Sequence, residues 1–473
     1  MRFSALLSCA LALLVPATQA AESYLPPGAL SYRAETLPNG LRIVRQEVRG
    51  APYVSARLLV RTGTDNFPCA DRELPHLVEH LLFSANGARE ESEIDDLVAD
   101  WGGQINAFTY AEQTDVTLDA HARFQAEAMR LLASMIAGFT PDEADIAREK
   151  SVVEHESGIV HDPLRLWWSA QPFTRRAGTQ FGIAAGLLCA GGVTPVRHLR
   201  LADVQRAFAE NYVPANMILV LAGDLSADGL AAARDAFGAL PLRPRPASEP
   251  ARIVMPPAGD FRSGWLSGAA QLAEPTALGI TPFRDWEGYY ALLLVESWLN
   301  DRLFRELRSE RGLAYTPTAT VQYEGPALSV SVVVQTDPAD RDFVMQYLQA
   351  LVDEVRNRGI PPEDFERLRM STLLGMAQSF ERISDRADYL AGSWREIDSG
   401  GLFDSERYYR DIDHRRFSAL VARDWPPRFA IFDNAPRLSW QALTGMLIAC
   451  LLMLATGIGL FVWRHLRRRR AMV

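Results

Sequence analysis

The chain has 473 residues, 48% of them hydrophobic and 23% charged, with a formal net charge of −9. That supplies one large or two ordinary cores and excludes a disordered or low-complexity chain. Setting aside Arg2 and the tail residues Arg464, Arg467, Arg468, Arg469 and Arg470 leaves the body at −15, an acidic balance that argues against a nucleic-acid partner.

In chain order, residues 1–20, "MRFSALLSCALALLVPATQA", give a basic start, a short apolar run and the small residues Thr18 and Ala20, the pattern of a signal peptide. A first domain is expected over 21–240. It opens with a turn at Pro38-Asn39-Gly40 into the strand of "LPNGLRIVRQE", and "YVSARLLVRTG" then alternates as a strand does. Helices are expected around Leu74–Phe83, Glu93–Asp100, Phe124–Ala137 and Asp142–Gly158. The domain closes on the helix "LADVQRAFAENY", a break at Pro214 and the apolar strand "MILVLAGD". Residues 241–255 are proline-rich and read as a linker.

A second domain is expected over 256–436. It has a long helix over Glu287–Leu307, strands near Tyr315–Val321 and Leu328–Val334, and helical runs around Arg341–Arg358 and Pro362–Trp394. Its end, "DIDHRRFSALVARDWPPRFAIFDNAP", repeats the helix, proline, strand order that closes the first domain. The expected fold class is α+β: two homologous domains, each a mixed or antiparallel sheet with packed helices, followed by a C-terminal transmembrane helix.

That helix is expected over Trp440–Trp463, a stretch without charge, long enough at 1.5 Å per residue to cross a bilayer of about 30 Å. Tryptophan stands at both ends, and the arginines of the tail, 464–473, hold that side in the cytoplasm. Together the ends predict a bacterial inner-membrane protein, single-pass, with its body in the periplasm. Cys9 and Cys450 fall in the signal and the span. Cys69 and Cys189 remain, free to pair in an oxidising compartment, though their spacing does not show that they meet.

The chemistry concentrates in "ELPHLVEHLLF". On a helix His76 and His80, four apart, share a face and can aim two imidazoles at one tetrahedral zinc ion. Glu79 lies beside that face, within reach of a water that zinc acidifies, and so is a candidate general base. The order H-x-x-E-H is that of the inverzincins. A third ligand is needed, and "REKSVVEHESG" offers Glu149, Glu154, Glu156 and His155. Glu149 and Glu156, two turns apart, share a face.

These segments resemble the pitrilysin/insulinase family of zinc peptidases, which includes bacterial and mitochondrial processing peptidases. "LPNGLRIV" is similar to its opening strand, "HLVEHLLF" to its inverted zinc motif, "WGGQINAFTYAEQT" to its edge strand beside the metal, and "REKSVVEHE" to the segment that supplies the distal ligand. The resemblance implies one Zn²⁺ per chain held by His76, His80 and Glu156, with Glu154 as the alternative two residues earlier. It implies Glu79 as the base, Glu149 as a residue orienting a ligand, and Asn106, Ala107 and Phe108 as contacts for an extended peptide. "LFRELRSERGLAYTPTAT" resembles the family's Arg/Tyr element, which puts Arg308 and Tyr315 on substrate carbonyls.

The expected function is therefore a membrane-anchored zinc metalloendopeptidase acting on peptides or unfolded segments. The alternative is a catalytically silent assembly or peptide-binding subunit of the same family. Relatives close a chamber from four such domains, so a homodimer or a sister subunit is expected. Two departures stand out. Glu73-Leu74-Pro75 replaces the usual Gly-x-Ala or Gly-x-Ser before the first histidine, and "LLFSANGARE" replaces the usual Phe-x-Gly-Thr after the motif. His121, His161 and Trp167-Trp168 read as structural, solvated or packing residues rather than ligands.

Overall fold

The computed structural model describes residues 23–68, 71–87, 89–156, 196–247, 261–262, 266–267, 272–324, 326–433 and 438–470. The expected signal peptide, residues 248–255 of the expected linker, Cys69, Cys189, His161, Trp167 and Trp168 lie outside them.

Alternating aliphatic residues build the first sheet from β1 (Arg33–Thr36), β2 (Arg42–Glu47), β3 (Tyr53–Val60), β4 (Gln104–Thr109), β5 (Thr114–His121) and β6 (Met217–Gly223). Their order is β1-β2-β6-β3-β5-β4. Only β2 and β6 run parallel, so the sheet is mixed, with β4 at one edge. The glycine pair before β4 has a steric reason. Gly102 adopts φ +66°, and a side chain on Gly103 would collide with the Asp119 carbonyl of the neighbouring strand.

The helices of this half are α1 (Leu74–Ser84), α2 (Glu91–Asp100), α3 (Gln125–Ala137), α4 (Glu143–Glu156), α5 (Leu201–Asn211) and α6 (Ala227–Gly238). One face of the sheet, with Ile43, Ala56, Leu58, Leu118 and Leu219, packs against Leu77 and Leu81 of α1 and Met129 and Leu132 of α3. Each such fully buried aliphatic side chain contributes roughly 1.5–3 kcal/mol.

The second half has short strands β7 (Phe261–Arg262) and β8 (Leu266–Ser267), then β9 (Pro275–Pro282), α7 (Trp286–Leu303), β10 (Thr318–Glu324) and β11 (Ala327–Val333). Helices α8 (Arg341–Arg358), α9 (Pro362–Ser379), α10 (Ile383–Gly392), α11 (Trp394–Asp398), α12 (Ser405–Asp411) and α13 (His414–Asp424) lead to β12 (Phe429–Asp433) and β13 (Leu438–Ser439). The sheet order is β10-β11-β9-β12-β7. It matches β4-β5-β3-β6-β2 strand for strand, including one parallel pair at the same place, β12 with β7 and β6 with β2.

Two expected helices differ. The run Pro362–Trp394 is two helices, α9 and α10, with α11 starting at its last residue; the break between α9 and α10 falls where Phe380 turns into the core and its carbonyl accepts a hydrogen bond from Arg386 Nε at 2.6 Å. The helix expected to reach Leu307 ends its regular turns at Leu303 and widens into a π-helical stretch over Phe304–Ser309.

The halves meet on the far face of the first sheet. Val44, Leu59, Ile218 and Val220 are covered by Leu390 and Ala391 of α10 and Ile397 of α11. Ion pairs fringe the contact: Arg57 sits between Asp119 (2.9 Å) and Asp388 (2.5 Å), and Asp398 takes Arg42 (2.5 Å) and Arg61 (2.7 Å). Helix α14 (Trp440–Arg470) follows. Within it Thr444–His465 contains an 18-residue stretch of mean hydropathy 2.4 and is exposed throughout, so it is long and apolar enough to cross a membrane.

A candidate metal centre between two helices

Helix α1 starts with Pro75 in its first turn, where a missing N–H costs nothing. Leu74, Leu77, Val78, Leu81 and Leu82 bury one face. That leaves His76, Glu79 and His80 on the flank, half-buried under α4. On α4, Ile146 and Val153 face the core, while Glu149 and Glu156 look toward α1.

Three donor atoms converge. His76 Nε2 and His80 Nε2 are 3.2 Å apart, and Glu156 Oε2 lies 3.3 Å from the first and 3.4 Å from the second. Ligands around a tetrahedral zinc with bonds of about 2.0–2.2 Å stand roughly 3.3–3.6 Å from one another. The triangle has that size, and its donors, two imidazoles and one carboxylate, are the types zinc takes. Among the described residues this is the one group of His, Cys, Asp or Glu close enough to share an ion. Glu154 is not part of it: it is buried and accepts from Arg197 Nε at 2.8 Å.

Both imidazoles are held from behind. His80 Nδ1 faces Glu149 Oε2 at 3.4 Å, and His76 Nδ1 faces Glu73 Oε2 at 3.1 Å. A carboxylate on Nδ1 leaves the Nε2 lone pair aimed at the shared point. The hydrogen bond to His80 holds Glu149 below the usual carboxylate range. His80 is raised although burial opposes it, since Glu149, Glu156 and Glu79 favour positive charge there. Four carboxylates around two imidazoles suit a cation between them.

Glu79 stands beside the triangle. Its Oε2 accepts from Thr109 Oγ1 of β4 at 2.5 Å, which fixes the carboxylate against the edge strand. Burial pushes Glu79 up, outweighing that hydrogen bond, so it is a stronger base than an exposed glutamate.

His76, Glu79, His80, Glu149 and Glu156 thus come together. On β4, Ala107 is buried on the α1 side with Thr109, whereas Asn106 and Phe108 point to the opposite face, with Phe108 exposed. Arg308 and Tyr315 do not join the centre within one chain. The Arg308 guanidinium stacks on Tyr315 (4.6 Å) and Phe304 (4.9 Å) at an exposed helix end, and Tyr315 precedes β10 rather than starting it. His121 accepts from Arg123 N at 3.3 Å and meets Tyr53 edge-on, a structural role. Two residues escaped the sequence reading. Thr109 stands in the segment that resembles the edge strand beside the metal but takes no role from the motif, and Glu73, three residues before His76, stands out as a departure rather than a partner.

Two mixed sheets of one strand order, each with its helices, make a duplicated architecture that carries one His/His/Glu cluster able to hold a metal ion. The family described as Insulinase (Peptidase family M16) matches residues 42–166, and that described as Peptidase M16 inactive domain matches 198–372. A protein of Mycobacterium tuberculosis named as a zinc protease is 28% identical over 393 residues, which cover 79% of this chain and 87% of that protein. Among solved structures, a protease from Helicobacter pylori superposes with a TM-score of 0.70 at 17% identity, covering 85% of this chain and 98% of the other. The periplasmic protease PqqL from Escherichia coli gives 0.61 at 17% identity, with 88% of this chain on 49% of that one. The chain belongs to the pitrilysin/insulinase family, peptidase family M16, and zinc is the cation its relatives' names carry.

Proposed function

We propose that the chain is a zinc-dependent metalloendopeptidase, with His76, His80 and Glu156 holding one Zn²⁺ and Glu79 as the general base. The observation that carries this reading is the triangle of 3.2, 3.3 and 3.4 Å with a basic, oriented carboxylate beside it. When bound, zinc acts as a Lewis acid toward a substrate carbonyl and acidifies water. Glu79 takes the proton of the attacking water and hands it to the departing amine, while Thr109 keeps the carboxylate in line. Glu149 orients His80. Edge strand β4 offers main-chain groups to an extended peptide, with Asn106, Ala107 and Phe108 along it, so selection falls on unfolded or short peptides rather than on a sequence.

The chain's match to half of PqqL supports pairing, as a homodimer or with a sister subunit. In such a pair, Arg308 and Tyr315 of one copy would reach substrate carbonyls at the other's metal. We also propose domains over 21–240 and 256–436 joined by a 241–255 linker, a signal at 1–20, a span over 440–463 and a cytoplasmic tail at 464–473. This gives a bacterial inner-membrane enzyme facing the periplasm, for which the exposed apolar helix over Thr444–His465 is the support.

The test is cleavage of an unstructured peptide by the detergent-solubilised full chain, with and without chelator, beside its zinc content. Cleavage that chelator stops and zinc restores is expected. No cleavage, with zinc bound or without it, would overturn the enzymatic reading and favour the silent-subunit alternative.

A further inference from the structure

The departure "ELPH" before the first histidine has a physical use. Glu73 stands at the N-cap position of α1, its carboxylate making no bond to the helix N–H groups, and is only 6% exposed, a burial rare for glutamate unless it has a partner. Among the described residues its carboxylate has one hydrogen-bond partner, His76 Nδ1 at 3.1 Å. We infer that Glu73 is a positioning residue of the metal centre, fixing the tautomer and ring orientation of His76 as Glu149 does for His80. The inference rests on the metallopeptidase reading.

A ligand imidazole must present a lone pair on the nitrogen that faces the ion, and an acceptor behind the other nitrogen selects that tautomer. Glu73 lies one helical turn before His76, on the same side of α1, so no other element need move to make the bond. The cap is itself anchored. Arg72 pairs with Asp65 at 2.6 Å and donates to Thr64 Oγ1 at 3.2 Å, and Pro75 fixes the backbone of the first turn. The two ligand histidines are therefore braced from different elements, one by its own helix cap and one by α4. Because the Glu73 brace precedes the motif on the same helix, α1 holds its first ligand in the productive orientation independently of how α4 settles.

The experiment compares the metal-free full chain in detergent with three variants. Glu73→Leu keeps apolar bulk but removes the acceptor, Glu73→Ala removes both, and Glu73→Gln keeps an acceptor without charge. Zinc affinity is read by competition with a chromogenic chelator, and Co²⁺ is used as a spectroscopic substitute. Glu73→Leu should bind zinc about 10–100-fold more weakly, the range for loss of an outer partner, and shift the Co²⁺ visible absorption. Glu73→Gln should recover most of the affinity and the spectrum. A Glu73→Leu chain that binds zinc as wild type does, with an unchanged Co²⁺ spectrum, overturns the inference; if that variant misfolds, Glu73→Ala is judged by the same criterion. A wild-type chain that binds no zinc sinks the parent reading instead.

Discussion

Helices α1 and α7 occupy the same place in two sheets of one strand order, each following the central antiparallel strand and leading to an edge strand. They are tied to their neighbours by different chemistry. Helix α7 buries Leu292, Val295, Trp298, Leu299 and Leu303, and it joins α9 through Trp298 Nε1 on Asp364 Oδ2 (2.9 Å) and the Arg367–Asp301 pair (2.8 Å). Helix α1 joins α4 through imidazoles and carboxylates instead. Both send a glutamate to the edge strand, Glu79 to Thr109 Oγ1 and Glu296 to the Val321 N–H (2.8 Å). Yet the single histidine between residues 256 and 436, His414, faces the Ile360 carbonyl at 2.8 Å and not that glutamate. The architecture needs a tie between the helices. What the tie is made of decides whether the site can do chemistry.

The sharpest break of that symmetry is a pair of isosteric changes. Glu79→Gln should lower peptide cleavage by about 10²–10⁴-fold, the usual contribution of a general base, and leave zinc bound. Glu296→Gln should leave turnover within about twofold, since no reacting group lies beside it. Steady-state rates and zinc content of both variants settle the contrast; equal losses would mean that Glu79 acts only as a structural link to β4.

The second half should respond in stability. Trp298 is 1% exposed and makes the tie to α9, so Trp298→Ala should cost about 3–5 kcal/mol in denaturant unfolding. Zinc affinity should not change. A loss of zinc affinity on that substitution would show that the halves do not hold their helix pairs independently.

How far this contrast is visible in the sequence depends on the kind of signal. The H-x-x-E-H spacing and the two-turn offset of Glu149 and Glu156 are helical periodicities, and local geometry alone brings each pair to one face. The choice between Glu154 and Glu156 could not be made that way, because Arg197, 43 residues from Glu154, claims the nearer carboxylate. The break of the Pro362–Trp394 run was also hidden, since Phe380 reads as one more apolar helix position until its burial and the Arg386 hydrogen bond are known. Arg308 and Tyr315 lie seven apart as the motif suggests, but no local rule ties them to a metal centre, and they stack on one another at a helix end.

Within the first half the two candidate ligands can be separated directly. Glu156→Gln should weaken zinc binding by more than the 10–100-fold typical of outer-shell losses. Glu154→Gln should leave affinity near wild type and weaken only the Arg197 contact. Chelator competition on the two variants gives the ranking, and a reversed order would move the third ligand to Glu154.

The smallest effect concerns two buried acids, one in each sheet, which should behave oppositely. Asp433 in β12 is held by Arg341 Nε at 2.6 Å, so Asp433→Asn breaks a buried ion pair and lowers stability. Asp115 in β5 lies across from Phe108 and is contacted by Gln113 Nε2 at 2.9 and 3.1 Å, while Gln113 in turn accepts from Trp394 of α11. Burial pushes the Asp115 carboxyl up to about 7, with Asp388 and Glu79 adding to the rise and Arg57 and the Gln113 contact opposing it. The unfolded chain loses this proton near pH 4 and the folded one only near 7, so the folded state binds more protons between those values. Asp115's contribution is therefore complete below pH 4 and declines as pH rises toward 7. Asp115→Asn should flatten that slope and raise stability at pH 8 by an amount on the order of a few kcal/mol at most. Urea unfolding at pH 5 and pH 8 measures both. A variant less stable than wild type at pH 8 would mean that Arg57 keeps Asp115 ionised in the folded chain, which would make this contact between the halves electrostatic in the same way as the Arg341–Asp433 pair.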